Sequence, residues 1–371
     1  MRMTVIQPKI SMSTMVLLTF LLSVDGQSLP FLPADYTPFI NRKVFTPCLK
    51  PVCYDDVGCI QPFRLHAYLS TPPVAACPEE PKNVGFAMRV LLKSNSEEFF
   101  TTKWLKPRKK VAFFIHGYQL EYSERFAMDI AYSLLREYPQ VVLIKWDPGS
   151  FPAIIWDLPV SRYNRYTAAA NSELIGRLTG NLVAEMVSNG TVRQEDVTVI
   201  GHGLGGNAIH YLAEWIKEQH NMTIGRAVVL DQDGVPFYFS NKKLTGVGDA
   251  NVVDCIHTTF TQPIPFLGQR ISGSSNTGSI MATCDTDYYV NFPDSIQDQE
   301  GCSGIQLCST HFAPLVYSAY LNGCKYELMN CNSIKRPFSG SDSEKIGLDS
   351  TKYGKRGKIC IKTSSRPLSS C

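Results

Sequence analysis

The stretch "VTVIGHGLGGNAIHYLAEW", residues 197–215, decides the fold of this chain. A run of strand-forming residues comes first, a glycine-rich turn follows, and apolar residues then recur at helical spacing at Ile209, Leu212 and Ile216. This pattern predicts a buried strand, a sharp turn and a helix whose apolar side faces a sheet. Gly203 lies at the centre of the turn.

Similar short apolar runs occur on both sides of this stretch, and each is bounded by turn residues. They alternate with segments that have the length and apolar spacing of amphipathic helices. Strands that alternate with helices predict an α/β fold, in which a mostly parallel central sheet is covered by helices on both faces. The predicted strands lie within residues 109–117, 139–147, 195–201 and 224–231, and the predicted helices are residues 123–138, 166–189 and 204–220.

Composition and the N-terminus limit the classes of function. The 371 residues carry a formal net charge of +3, which is too small to indicate nucleic acid as a partner. Arg2 and Lys9 precede an apolar run at residues 15–24, and small residues surround a cleavage site after Gly26. The run is shorter than the roughly 20 apolar residues that span a bilayer. We therefore predict an extracellular protein with a signal peptide at residues 1–26 and no transmembrane span.

The cysteine content fits this location. Twelve cysteines, an even count on the secretory route, predict a set of disulfides. A zinc site would need paired Cys-x-x-Cys motifs, and the chain has none at that spacing, so we predict no metal and no cofactor. Asn189 and Asn221 begin glycosylation sequons, which predicts that both lie at the surface.

The remaining segments suggest one domain with additions at both ends. Residues 27–85 are rich in Pro and Cys and are predicted to form a disulfide-tied extension of the domain at residues 86–371. Residues 260–308 are rich in Gly, Ser, Asp and Pro and are predicted to be loops that cover the site. From Lys335 onward the chain carries nine basic against three acidic residues. This basic segment, 335–371, is either a surface for anionic lipids and heparan sulfate or a solvated face, and we favour the solvated face.

Several motifs, taken in order, resemble those of the secreted pancreatic-type lipase family, which includes phospholipases A1 and insect yolk proteins. In that family a serine between two flanking glycines forms the nucleophile elbow, and here Gly203 stands at the serine position between Gly201 and Gly205. The resemblance implies a disulfide-rich α/β-hydrolase fold. The motifs are "VCYDDVGC" (52–59), "FFIHGY" (113–118), "GHGLGG" (201–206), "VVLDQDGVPFY" (228–238), "DANVVDCIHT" (249–258) and "EGCSGIQLCSTH" (300–311).

The resemblance also assigns roles to single residues. Asp231 corresponds to the acid of the catalytic triad, and the backbone N–H groups of Tyr118 and Leu204 correspond to the oxyanion hole. The family reads Cys-x-His at the base position, whereas this chain has Thr310 there and His311 one residue later. The base is therefore either His311, displaced by an insertion, or absent. We interpret three further histidines as structural: His116, His202 and His257.

By the same resemblance a short lid, residues 303–307, lies between Cys302 and Cys308, and a β-sandwich domain is absent. Such a sandwich needs about 100 residues, and 40 residues follow Cys331. The resemblance implies the disulfides Cys53–Cys59, Cys255–Cys284, Cys302–Cys308 and Cys324–Cys331, which leaves Cys48–Cys77 and Cys360–Cys371.

A glycine at the elbow removes the atom that attacks the ester. Loss of the nucleophile from a serine hydrolase lowers turnover by a factor on the order of 10⁶. The serines near the site offer no replacement, because Ser309 lies at the base of the lid and Ser272, Ser274 and Ser275 lie in a loop. We therefore predict a catalytically inactive, lipase-like protein that binds a lipid, a lipid-like conjugate or a protein partner in its cleft. The alternatives are an active carboxylic ester hydrolase of lipase or phospholipase A1 type and a yolk-type storage or structural protein.

Overall fold

The computed structural model describes residues 48–64, 75–99, 101–117, 125–147, 159–238, 240–259, 278–292, 299, 301–302, 308–329, 331, 345–354 and 356–363. All of these belong to the unit Thr46–Cys371. The predicted signal peptide, the lid residues 303–307 and the loop serines Ser272, Ser274 and Ser275 lie outside the described residues.

Fifteen strands and six α-helices are described in this unit. In chain order the strands are β1 Val52–Tyr54, β2 Gly58–Ile60, β3 Phe63–Arg64, β4 Ala75–Ala76, β5 Ala87–Leu92, β6 Asn95–Phe99, β7 Val111–Ile115, β8 Gln140–Lys145, β9 Val197–His202, β10 Arg226–Leu230, β11 Val252–His257, β12 Thr286–Val290, β13 Tyr326–Met329, β14 Lys345–Ile346 and β15 Gly357–Lys362. The helices are α1 Arg125–Leu134, α2 Pro159–Ser188, α3 Leu204–His220, α4 Val235–Tyr238, α5 Cys308–Leu321 and α6 Ser350–Tyr353.

The main sheet has eleven strands in the order β14-β13-β15-β12-β11-β10-β9-β7-β8-β5-β6. Its central part, from β8 to β15, is parallel throughout. Antiparallel strands extend both edges, with β5 beside β8 and β13 beside β15. The central strands β7 and β10 are buried along their whole length, as expected for a parallel sheet that is covered on both faces.

Successive strand residues supply two separate hydrophobic layers. Phe113 of β7 and Val199 of β9 pack in the layer that includes residues of α2 and α3. Their chain neighbours Phe114 and Ile200 pack in the opposite layer, with residues of α1 and α5. Side chains alternate across a strand, so each central strand contributes to both layers. The prediction of a mostly parallel sheet with helices on both faces is confirmed.

The observed bounds of the helices match the predicted ones best where the sequence carries clear signals for a helix start and end. The helix α3 begins and ends as predicted, and Asn221 closes it in the left-handed conformation with φ 54°. The helix α2 begins at Pro159, before the predicted residue 166. Proline is well tolerated in the first turn because its missing N–H has no partner there. Among the described residues, none of the helices is both long enough and apolar enough to cross a membrane.

Two segments that we predicted to be irregular or exposed contribute strands to the sheet. The strand β12 lies in the region predicted to be loops and is buried between β11 and β15. In the basic segment, β15 buries Ile359, Cys360 and Ile361 and leaves Lys358 and Lys362 exposed. The two lysines of this strand are therefore exposed, and a solvated face of the basic residues stays a prediction. The basic residues of β15 stand next to apolar residues, and these apolar residues are buried because the strand is part of the sheet.

The disulfides differ from the prediction near the C-terminus. The structure forms Cys48–Cys77, Cys53–Cys59, Cys255–Cys284 and Cys302–Cys308 as predicted. The predicted pairs Cys324–Cys331 and Cys360–Cys371 are wrong, because Cys331 is bonded to Cys360. The antiparallel register of β13 and β15 sets Met329 opposite Cys360, which brings Cys331 within reach. Cys324 is also in a disulfide, but its partner is not among the described cysteines.

Candidate functional site

The turn between β9 and α3 has the geometry of a nucleophile elbow. Gly203 adopts φ 54° and ψ −122°, a backbone conformation that side chains of L-residues rarely allow. The flanking glycines are needed for close backbone contact. A Cβ atom at Gly201 would lie 2.2 Å from the carbonyl oxygen of Gly205, and one at Gly205 would lie 2.1 Å from that of Ile115. The two glycines therefore let β9 and α3 approach more closely than residues with a side chain would allow.

At the centre of the turn, by contrast, there is room for a side chain. Among the described residues, the nearest heavy atoms to a Cβ atom built at Gly203 are Cα of Gly117 at 3.7 Å and Oδ1 of Asp233 at 3.8 Å. Both distances are ordinary van der Waals contacts. The space at Gly203 is therefore wide enough for the first atom of a serine, and its neighbours are a backbone carbon and a carboxylate.

One of the two predicted oxyanion donors is described. Leu204 is the first residue of α3 and is fully buried. The first N–H groups of a helix have no intrahelical acceptor. The helix hydrogen bonds begin with the N–H groups of Gly206 and Asn207, which donate to the carbonyl oxygen of Gly203. The N–H of Leu204 therefore remains directed out of the first turn. Tyr118 lies outside the described residues.

Asp231 follows β10, at the same edge of the sheet as Gly203, and is completely buried. Its Oδ1 accepts hydrogen bonds from the N–H groups of Thr258 and Thr259 at 3.0 and 2.9 Å, and its Oδ2 accepts one from the hydroxyl of Thr259 at 2.6 Å. Burial raises the pKa of this carboxyl to about 6, although the three hydrogen bonds act in the opposite direction. Among the described residues, these threonines supply all the donors to Asp231.

The two candidates for the base lie in the first turn of α5. The carbonyl oxygen of Thr310 accepts a hydrogen bond from Nε2–H of His202 at 3.0 Å, which places Thr310 beside the elbow. The ring of His311 lies 5.8 Å from that of His202, centroid to centroid. Burial lowers the pKa of His311 to about 4, so the ring is neutral at physiological pH. Neither residue hydrogen-bonds Asp231, so the described residues do not assemble a charge-coupled triad.

Two of the histidines that we interpreted as structural, His116 and His202, lie beside the elbow and are buried and neutral. Trp146 donates its backbone N–H to Nε2 of His116 at 3.3 Å, and Nδ1–H of His116 donates to the carbonyl oxygen of Gly117 at 3.0 Å. Burial lowers the pKa of His116 to about 4. Burial, followed by the nearby His311, lowers that of His202 to about 3. Rings with such low pKa values do not carry charge into the site.

His257 has partners on both sides of its ring. Its Nδ1–H donates to the carbonyl oxygen of Ser279 at 2.7 Å, and its Nε2 lies 2.9 Å from Oδ1 of Asp287. The ring also stacks on Tyr289, with 4.6 Å between centroids. With both nitrogens engaged, His257 has no free nitrogen to offer a substrate.

One residue beside the elbow, Asp233, was not predicted from the sequence. It is 3% exposed and lies two residues after Asp231. The side chain of Asn207 holds its backbone on both sides, because Oδ1 accepts from the N–H of Asp233 and Nδ2 donates to its carbonyl oxygen, both at 3.0 Å. The signal in the sequence was a second carboxylate two residues after Asp231, but its position beside Gly203 depends on the packing of α3.

No described cluster suits a metal. Within the described residues, the group of Cys255, Cys284 and Asp287 is the one that combines ligand types at metal-binding distance. Its two sulfur atoms form a disulfide, so it offers no thiolate. The sequons, in turn, are accessible, because Asn189 and Asn221 are both exposed. Their glycosylation stays a prediction.

Comparisons with known proteins identify the family of the chain. A family model described as Lipase matches residues 82–332. The inactive pancreatic lipase-related protein 1 of Canis lupus familiaris is 25% identical over 266 residues, which cover 68% of this chain and 51% of that protein. Pancreatic lipase-related protein 2 of Cavia porcellus is 25% identical over 273 residues, which cover 70% of this chain and 57% of that protein. Pancreatic triacylglycerol lipase of Homo sapiens is 26% identical over 235 residues, which cover 60% of this chain and 47% of that protein. The chain spans about half the length of these relatives.

Proposed function

The chain belongs to the lipase family, and from this premise we propose that it is a secreted protein of the α/β-hydrolase fold that does not hydrolyse esters. Instead, it binds an amphiphilic lipid or a lipid-like conjugate in the cleft at Gly203. The observation that carries the proposal is the elbow itself. The turn keeps the close backbone contacts of Gly201 and Gly205, but Gly203 presents no nucleophile.

The surroundings of the elbow support the loss of chemistry. Acyl transfer needs a hydroxyl to attack, an imidazole to take its proton and a carboxylate that holds the imidazole in the correct tautomer. Here the carboxylate of Asp231 is bound by Thr258 and Thr259. The carboxylate is therefore engaged by neutral donors that cannot transfer a proton between nucleophile and leaving group.

Other features support retention of a binding cleft. Among the described residues, no atom comes closer than van der Waals distance to a Cβ atom built at Gly203, and Leu204 keeps its N–H at the start of α3. The signal-peptide pattern at residues 1–26 and the disulfides support secretion. An extracellular protein with a lipase fold and an open, non-reactive cleft is suited to carry or sense an amphiphile.

The first test is intact-mass spectrometry of the purified secreted protein before and after treatment with a fluorophosphonate, which labels activated serine nucleophiles. We expect no increase in mass, while an active pancreatic-type lipase treated in parallel gains one adduct. The same preparation, extracted with organic solvent, should release an amphiphile in an amount close to one per chain. A stoichiometric adduct on this chain would favour the alternative, an active carboxylic ester hydrolase, and peptide mapping would then locate its nucleophile.

A further inference from the structure

We infer that a surface cavity beside Asn189 binds the first N-acetylglucosamine of an N-linked glycan carried by that residue. The cavity has a volume of about 680 Å³. Sites for small molecules usually measure about 300–1,000 Å³, so this cavity has room for a sugar residue. Its occupant is thus a sugar attached to the protein's own chain.

The predicted sequon lies directly at the cavity. Asn189 follows α2 and is exposed. Its Oδ1 accepts hydrogen bonds from the backbone N–H and the hydroxyl of Thr191, at 3.0 and 2.6 Å. Nδ2, the atom to which the sugar is attached, has no hydrogen-bond partner among the described residues. Gly190, the middle residue of the sequon, lines the cavity, so an attached sugar begins one residue away from it.

The lining of the cavity suits a sugar ring. Val187 and Val192 contribute apolar side chains for a face of the ring, and Arg108, Arg193 and Gln194 contribute hydrogen-bond donors. Arg108 is exposed, and its guanidinium has no partner among the described residues. Its five N–H groups can donate to the acetamide oxygen and the hydroxyls of N-acetylglucosamine. An apolar lining with a few polar groups is typical of sites for small ligands.

The walls of the cavity are fixed by the backbone. The N–H of Arg108 donates to the carbonyl oxygen of Thr191 at 2.8 Å, and Arg108 has a left-handed conformation with φ 56°. The N–H of Gly225 donates to the carbonyl oxygen of Gln194 at 3.0 Å. A Cβ atom at Gly225 would lie 2.1 Å from the carbonyl oxygen of Glu195, so the two segments are in close contact. Walls that are already ordered lose little conformational freedom when a sugar binds.

The second sequon provides an internal comparison at the same edge of the sheet. The helix α2 is followed by β9 and α3 by β10, and these two strands are parallel neighbours. Asn189 and Asn221 therefore both lie near the start of the strands, whereas Gly203 follows the end of β9. A strand of 6 residues spans about 20 Å, which separates the cavity from the elbow. Among the described residues, those that line the cavity include none from 221–223.

The test measures how fast each glycan is removed from the full chain. The chain is secreted by cultured cells that leave N-glycans at the oligomannose stage, so both sequons carry the same sugar. Peptide N-glycosidase F cuts the bond between Nδ2 and the first N-acetylglucosamine, and peptide mapping follows each site. In the folded protein we expect release at Asn189 to be at least about tenfold slower than at Asn221. After denaturation the two rates should agree within about twofold, because the cavity is lost.

A variant of the lining tests the cavity without altering the sequon. Arg108→Gln removes the charged donors and should speed up release at Asn189 in the folded protein at least about threefold, because charge-assisted hydrogen bonds are the stronger ones. The matched control is Arg136→Gln, which replaces an exposed arginine that does not line the cavity. It should leave the rate at Asn189 unchanged. Circular dichroism confirms that both variants are folded.

Three results would overturn the inference. The first is a secreted chain in which Asn189 carries no glycan. The second is equal release at the two sequons of the folded protein, and the third is a rate at Asn189 that Arg108→Gln leaves unchanged. If Asn221 carries no glycan, the comparison of Arg108→Gln with Arg136→Gln at Asn189 decides alone. None of these results affects the proposed function, because the cavity is separate from the cleft at Gly203.

Discussion

Oδ1 of Asp233 lies 3.8 Å from the point where Gly203 would carry its Cβ atom. A buried carboxyl group therefore lies beside the position from which a nucleophilic side chain would extend, and Gly203 itself presents no hydroxyl. The tetrahedral intermediate of ester hydrolysis carries negative charge, and catalysis depends on donors aimed at it. A carboxylate close to that intermediate would raise its energy instead.

The first prediction concerns restoration of the triad. Gly203→Ser together with Thr310→His supplies a nucleophile and a base, but we expect little hydrolysis of p-nitrophenyl butyrate because of Asp233. Adding Asp233→Asn should raise kcat/KM at least about tenfold over the double variant, since the charge beside the oxyanion is removed. Initial rates with the two variants measure the difference.

Circular dichroism and thermal unfolding of the restored variants provide the control, because a lost fold would also remove activity. Asp56→Asn in the same double-variant background replaces an exposed carboxylate and should leave the rate unchanged. Equal rates with and without Asp233→Asn in folded protein would show that this carboxylate does not oppose the reaction.

The second prediction concerns the close contact at the elbow. A methyl group at Gly205 would meet the carbonyl oxygens of Ile115 and His116 at 2.1 and 2.6 Å, and neither backbone atom can move freely inside the sheet. Gly205→Ala should therefore lower the free energy of unfolding by about 3 kcal/mol or more. The control Gly85→Ala has a positive φ but no atom of the described residues within 4 Å of its Cβ position, so it should lose only about 1–2 kcal/mol. Urea unfolding of both variants measures the contrast, and similar losses would contradict the packing argument.

The third prediction follows from Asp231, whose pKa rises from 3.8 to about 6 on folding because of burial. Between these two values the folded state binds more protons than the unfolded state, so this group makes the protein less stable as the pH rises through the window. Asp231→Asn mimics the protonated acid at every pH. Relative to the wild type, the variant should gain about 2.4 kcal/mol between pH 4 and pH 7.

Urea titrations at half-unit intervals of pH measure this gain, with Asp56→Asn as a matched control for the loss of one acidic group. The wild type itself should still lose stability in acid. His116, His202 and His311 have pKa values lowered to about 4, 3 and 4, so their unfolded forms bind protons first as the pH falls below about 6.5. A constant difference between Asp231→Asn and the wild type would contradict the predicted shift.

The fourth prediction concerns the disulfide Cys331–Cys360, which joins the segment just after β13 to β15 across a sequence separation of 29. A non-reducing peptide map should contain these two cysteines in one linked species and no Cys324–Cys331 species. The double variant Cys331→Ala with Cys360→Ala should lower the free energy of unfolding by about 3–4 kcal/mol. Removing Cys53–Cys59, which closes a loop with a separation of 6, should cost about 2 kcal/mol by the same relation. A linked Cys324–Cys331 peptide would show that the register of β13 and β15 is wrong.

The parts of the site that could be predicted are those with local signals. Gly201, Gly203 and Gly205 mark the elbow because glycines at this spacing serve the contact of one strand with the next helix. Asp231 was placed correctly at the end of β10, at the edge of the sheet where Gly203 lies. Its binding by Thr258 and Thr259 could not be predicted, since these residues belong to the segment after β11 and meet the carboxylate only through the sheet.

The sequence by itself determined the alternation of strands and helices, the bounds of α3 and the absence of a nucleophile at residue 203. Each of these depends on residues close together in the chain. Only the tertiary structure decided that β15 enters the sheet beside β12, that Cys331 pairs with Cys360 and that Asp233 faces Gly203. The physical reason is that strand order and register bring together residues that are far apart in sequence, and no local propensity encodes those contacts.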